Sequence, residues 1–136
     1  MLITREIDYA IRTIRALYGS KRLNVKQICE LEHIPSQFAY KILKKLSRHH
    51  ILEITRGAGG GYCLIQEPNK LTLFDIVMAV DEDNYFNGIN ECLKPNHICV
   101  NNTKNKICKV NAELRRINTI LEEELKKYTL EEILTM

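Results

Sequence analysis

The chain has 136 residues, 45% of them apolar, with 20 Lys/Arg against 17 Asp/Glu. That length suits one ordinary domain with an appendage, and the apolar share suffices for one core. The absence of any run of about 18 apolar residues excludes a membrane-spanning helix, and Met1 leads into an amphipathic pattern with Arg5 and Glu6 rather than a signal peptide, so a cytoplasmic protein is expected.

Thr4 to Tyr18 reads as a first helix. Ile7, Ala10, Ile11, Ile14, Leu17 and Tyr18 share one face, Arg5, Asp8, Arg12 and Arg15 the other, and Gly19-Ser20 ends it. Asn24 with Gln27 opens a second helix from about Val25 to Leu31 through a capping box. Cys29 falls on its inner side and reads as core. His33-Ile34-Pro35 is the turn into a third helix starting at Pro35 or Ser36. Its apolar residues, Phe38, Ala39, Ile42, Leu43 and Leu46, form one stripe, and Gln37, Tyr40, Lys41, Lys44 and Arg48 form the other face.

Ile51 to Thr55 and Tyr62 to Ile65 read as paired strands, Cys63 packing in the second. Between Arg56 and Tyr62 stand five residues, four of them Gly, which allow positive φ and close backbone approach to something large. A basic helix followed by a Gly-tipped hairpin is a winged helix, suited to placing a helix in the major groove and a wing over the backbone or minor groove. A phosphate-binding loop is excluded, because the run lacks the Gly-Lys-Ser/Thr ending and lies between strands. Charge agrees: residues 1–65 hold 11 Lys/Arg and 5 Asp/Glu, whereas residues 66–136 hold 9 and 12. A polyanion partner is therefore expected for the N-terminal half.

Pro68-Asn69 breaks the strand, and Thr72 with Asp75 caps a helix carrying Leu73, Ile76, Val77 and Val80. Asp81 to Gly88 reads as a linker, and Asn90 to Lys106 as a loop long enough to be functional or metal-organised. From Ile107 the residues Ile107, Val110, Leu114, Ile117 and Leu121 make a heptad seam that wants a partner, and pairing with a second copy is expected because palindromic DNA sites reward two-fold dimers. Glu122–Lys126 and Glu123–Lys127 support this helix on the outside. A last short helix starts at Thr129, with Leu130, Ile133 and Leu134 as docking residues.

The five cysteines, an odd number, argue against a disulfide framework. Cys92, Cys99 and Cys108 are spaced C-x6-C-x8-C, too wide for paired zinc knuckles. Three thiolates on one loop can hold one face of an iron–sulfur cluster and leave a fourth position to another residue. Metal-free thiol sensing, a three-thiolate zinc site and three incidental cysteines stay open as alternatives. His97, inside the loop, is one candidate fourth ligand.

Nearly the whole chain resembles the Rrf2 family of winged-helix regulators, which includes the iron–sulfur-cluster assembly regulator and the nitric-oxide-sensing repressor. The resemblance rests on Ile7-Asp8-Tyr9-Ala10-Ile11-Arg12, on Ile34-Pro35-Ser36-Gln37-Phe38, and on Leu71-Thr72-Leu73-Phe74-Asp75-Ile76 followed by the three cysteines. Its most specific part is Arg56-Gly57-Ala58-Gly59-Gly60-Gly61-Tyr62-Cys63-Leu64. It implies a homodimeric regulator, a repressor, acting on palindromic double-stranded DNA. It further implies a 2Fe–2S cluster in preference to 4Fe–4S, held by Cys92, Cys99 and Cys108, that changes DNA affinity. Some members lack a cluster and answer a protein or thiol signal. The resemblance favours Asp8 over His97 as fourth ligand, donated by the other subunit; the bland role of Asp8 is an ion pair with Arg12 one turn on.

The expected fold is thus mainly α: a winged helix-turn-helix domain over residues 1–80, a linker and cysteine loop over 81–106, and a dimerisation helix with a short C-terminal helix over 107–136. Gln37, Tyr40 and Lys41 are expected at base edges, and Arg12, Lys41, Lys44 and Arg48 on phosphates. Arg56 is expected in the minor groove beside the wing, with Gly59 and Gly60 at the wing tip. No catalytic acid–base pair stands out, so an enzyme is not expected; the rival from another class is a small iron–sulfur electron carrier, which leaves the basic winged helix unexplained.

Overall fold

The structure, a computed structural model, describes residues 3–20, 22–81, 91–94 and 97–136. Helix α1 spans Arg5–Leu17, opened by Thr4, whose Oγ1 accepts from the Ile7 amide. Helix α2, Val25–Glu32, carries the expected capping box between Asn24 and Gln27, both bonds at 2.9 Å. Its last residue, Glu32, is one later than expected, and His33 caps it in the left-handed region. Helix α3, Ser36–Arg48, follows Pro35 directly.

Strands β1, Leu52–Thr55, and β2, Gly61–Leu64, are antiparallel in the register Leu52↔Leu64 to Thr55↔Gly61. The second strand begins and ends one residue earlier than the sequence suggests. Ile65 falls outside the strand because only half of its pairing with Ile51 forms: its amide donates to the Ile51 carbonyl, while the Ile51 amide donates to the Leu46 carbonyl. A bridging residue went unforeseen: Leu23, before α2, exchanges two backbone hydrogen bonds with Tyr62, at 3.0 and 2.7 Å. The wing is thereby sewn to the start of the helix-turn-helix. This also explains two of the glycines. A Cβ on Gly61 would sit 2.6 Å from the Leu23 carbonyl oxygen, and one on Gly60 would collide with the Thr55 carbonyl.

Helix α4, Leu73–Val80, has the expected Thr72–Asp75 capping box. Helix α5, Lys109–Lys126, starts two residues after Ile107, because Cys108 is its N-cap. Helix α6, Leu130–Thr135, is capped by a Thr129–Glu132 box. The linker expected from Asp81 lies, from residue 82 onward, outside the described residues.

The core gathers the inner faces of the helices: Ile14 of α1, Ile28 of α2, Ile42 and Leu46 of α3 and Ile76 of α4 are fully buried. Cys29 packs against it from a half-buried position, as a small hydrophobe. Leu130 of α6 is 1% exposed within the same core, and its amide donates to the Leu71 carbonyl at 2.6 Å. Leu134 packs there too.

The single seam expected on the long helix divides in two. Leu114, Asn118, Leu121 and Leu125 are half-buried along one stripe, and Leu121 and Leu125 pack on Ile7 of α1 and Val77 of α4. Val110, Ile117 and Ile120 form a second stripe and stay exposed, as does Ile107 before the helix. The 3,4 spacing read as one seam straddles two faces: Val110 and Ile117, seven apart, share the exposed stripe, and Leu114 and Leu121, seven apart, share the half-buried one.

Candidate nucleic-acid interface and cysteine segment

Helix α3 presents Gln37, Tyr40, Lys41, Lys44 and Arg48 on its exposed face, as its periodicity predicts. Arg56 is exposed at the shoulder of the wing, and Gly59 reverses the tip with φ of +72°. Burial pushes the Tyr62 phenol up, Tyr40 adds to the rise, and Arg56 opposes it.

Lys41 borders α1. Its ammonium is paired with the Glu6 carboxylate. The other Glu6 oxygen accepts from Lys45 at 3.0 Å, and Lys45 also donates to the Val80 carbonyl at 2.9 Å, at the end of α4. Burial opposes ionisation of Glu6, yet the hydrogen bonds from Lys41 and Lys45 outweigh it and hold the carboxyl below its ordinary value. Lys45 is 8% exposed. Its signal was present in the sequence: it stands seven residues after Phe38 and three after Ile42, on the apolar stripe. A charge there demands a counter-ion.

Arg12, expected on phosphate, is engaged inside the domain. It pairs with Asp8 at 2.6 Å and donates to the Glu32 carbonyl at 3.1 Å, and its guanidinium lies over the Tyr9 ring. Asp8 thus has the i,i+4 partner that its position suggests. Arg15 pairs with the Glu32 carboxylate, closing the α1–α2 junction.

The cysteine segment is braced by two asparagines that sequence reasoning passed over. A turn of 3-10 helix at Glu91–Leu93 carries Cys92, and Leu93 is 7% exposed. Asn111, on the first turn of α5 and 6% exposed, donates from Nδ2 to the Cys92 carbonyl at 2.6 Å and accepts from Arg115 at 2.9 Å. Asn102 accepts on Oδ1 from the Cys108 amide at 3.2 Å, and its own amide donates to the Cys99 carbonyl at 3.0 Å. One amide therefore links Cys99 to Cys108, and the other links Cys92 to the helix that Cys108 caps.

Cys92, Cys99 and Cys108 are all half-buried. The donor set fits an iron–sulfur cluster in chemistry, being three thiols on one braced segment. Among the described residues, however, no three His, Cys, Asp or Glu side chains stand together as a metal-binding group. His97 is exposed in the segment and Asp8 is on α1. Cys63 lies apart in the wing, 3.5 Å from Glu53 across the ladder.

A helix-turn-helix with an adjoining Gly-tipped wing and an exposed, cation-bearing recognition helix defines a winged-helix DNA-binding regulator. The chain belongs to the Rrf2 family, described as iron-dependent transcriptional regulators, whose model matches residues 3–136. The HTH-type transcriptional regulator NsrR of Bacillus subtilis is 28% identical over 98% of this chain and 90% of its own length. In fold, the chain is similar to T. potens IscR, with a TM-score of 0.77 at 18% identity over 98% of this chain and 85% of that one. It is also similar to CymR, titled the global cysteine regulator of B. subtilis, with a TM-score of 0.71 at 21% identity over 98% and 95% of the two chains. These relatives are regulators rather than enzymes, as the sequence suggested. Among the described residues, no helix is long and apolar enough to cross a membrane.

Proposed function

We propose that this regulator is a homodimeric repressor whose affinity for palindromic DNA is set by an iron–sulfur cluster, 2Fe–2S in preference to 4Fe–4S. Cys92, Cys99 and Cys108 would hold the cluster, with Asp8 of the other subunit as fourth ligand ahead of His97. When bound, the cluster would supply iron reactive toward oxidants or nitric oxide. The observation that carries this reading is the pair of asparagines that braces all three cysteine backbones around the start of α5. Incidental cysteines need no such bracing.

On the DNA side, Gln37 and Tyr40 face base edges, Lys44 and Arg48 neutralise phosphates, and Arg56 enters the minor groove beside the tip formed by Gly59 and Gly60. Lys41 and Arg12 join them to the extent that they leave Glu6 and Asp8. The exposed stripe of Val110, Ile117 and Ile120 is the surface that a second copy would cover.

A cluster-free thiol-responsive regulator is the second reading. It is favoured by the lack of an assembled group of donors among the described residues and by the fold likeness to a cysteine regulator. Anaerobic purification with iron and sulfide analysis, followed by gel shifts on the chain's own promoter DNA, separates the two. Iron and sulfide with a cluster-dependent shift support the first. Colourless protein whose DNA binding follows thiol oxidation supports the second.

A further inference from the structure

We infer that Glu6 sets how tightly this regulator grips DNA of any sequence: by holding Lys41 it withholds one cation of the recognition face from the phosphate backbone. Lys41 lies on the same exposed face as Gln37 and Lys44, where a basic side chain would meet a phosphate in any sequence. Glu6 stands on α1 beside that face and engages it.

Geometry makes Glu6 a fixed guard rather than a wandering counter-ion. Its second oxygen is bonded to Lys45, which is buried and also bonded to the Val80 carbonyl. Glu6 is thus tethered from beneath, by a side chain that cannot follow DNA, and offers its free lobe to Lys41. A phosphate must compete with a carboxylate already in place. Among the described residues, base-edge contacts from Gln37 and Tyr40 face no such competitor. Withholding Lys41 lowers binding to all sequences, so weak sites lose occupancy while a site with full base contacts stays bound.

The test uses the purified chain, a duplex of scrambled sequence and its own promoter DNA, with affinity measured across salt concentrations. Glu6→Gln should bind scrambled DNA about threefold to tenfold more tightly, with a log–log salt slope steeper by about 0.9 per chain, the value of one further phosphate contact. The promoter should gain by the same factor, so that the ratio of the two affinities holds while weak sites fill at lower protein concentration; a gain confined to the promoter would place Lys41 on a base edge and overturn the assignment. Adding Lys41→Gln to Glu6→Gln should erase the gain. A gain that persists in the double variant overturns the assignment, because another cation is then responsible. So does an unchanged slope in Glu6→Gln protein of normal helicity.

Should Glu6→Gln fail to fold, two exposed single changes decide. In the wild-type background Lys41→Gln should cost less than half the slope that Lys44→Gln costs. Equal losses would place Lys41 on the phosphates already and overturn the proposal.

Discussion

Asn111 donates to the carbonyl of Cys92 at 2.6 Å, joining two residues that stand on opposite sides of the cysteine loop. Because Asn111 is buried, its loss leaves polar groups without partners. Asn111→Ala should therefore lower stability by about 1–3 kcal/mol. If the thiols hold a cluster, the same change should speed its loss. Thermal melts and timed iron release check the two effects separately.

In the wing, Gly61→Ala places a methyl against the Leu23 carbonyl, where no flexible side chain can yield. The Leu23–Tyr62 bridge must open, and promoter affinity should fall by more than in Ala58→Gly, at the exposed tip. A gel-shift titration of both variants decides this. Equal binding would mean that the wing contributes nothing to affinity.

The outer stripe of α5 gives a clean probe of pairing. Ile117 and Ile120 are 45% and 49% exposed in the single chain. Ile117→Lys with Ile120→Lys should leave the fold intact and yield monomers by analytical ultracentrifugation, with specific DNA binding lost. Leu114→Lys, on the half-buried stripe, should instead destabilise the chain itself.

Replacing Cys92, Cys99 or Cys108 by Ala should abolish visible absorbance of anaerobically purified protein, whereas Cys63→Ala should keep it. Asp8→Ala removes an exposed pair with Arg12, at a cost of a few tenths of a kcal/mol, and should give a less stable cluster. A mixed dimer, one chain Asp8→Ala and the other Cys92→Ala, separates the geometries. Ligation across subunits leaves one site whole and half the signal, while ligation within a subunit damages both.

Burial, and then Glu30, push the Cys29 thiol above its ordinary value of 9.0. A raised value favours the neutral thiol in the fold, so its contribution to stability is complete below pH 9 and lost as pH climbs past the folded value. Iodoacetamide should modify Cys29 more slowly than a small free thiol at pH 8, read by peptide mass mapping; equal rates would show that the site opens freely.

Where local chemistry decides the structure, the sequence was legible. The capping boxes at Asn24 and Thr72 stand where residue spacing puts them, Thr129 opens the last helix as expected, and the Gly-rich run makes the wing. What sequence could not show depends on partners distant along the chain. Leu23 has nothing local to mark it as a strand residue, and its bridge to Tyr62 exists only once the hairpin has folded back. Asn102 and Asn111 look like ordinary loop and helix polar residues until their amides are seen against cysteine backbones. The seam on α5 was read as one face because 3,4 spacing fits both a coiled coil and a helix lying on its own domain. Lys45 was the detectable omission, a charge in an apolar stripe.

The placement of Leu130 has a consequence for how the protein is made. Its side chain fills the core of the winged domain, and its backbone is bonded to Leu71. A chain leaving the ribosome emits the helix-turn-helix, the wing and all three cysteines before this last core residue becomes available. Domains that fold during synthesis ordinarily do so from the N-terminal side, as each unit emerges. Here the DNA-reading unit stays incomplete until the cysteine segment has already been synthesised. A nascent chain interrupted anywhere before Leu130 carries an unfilled core and a loosened reading head, and is an easy substrate for proteases. The order of translation thus disfavours a truncated product that reads DNA without the cysteine segment.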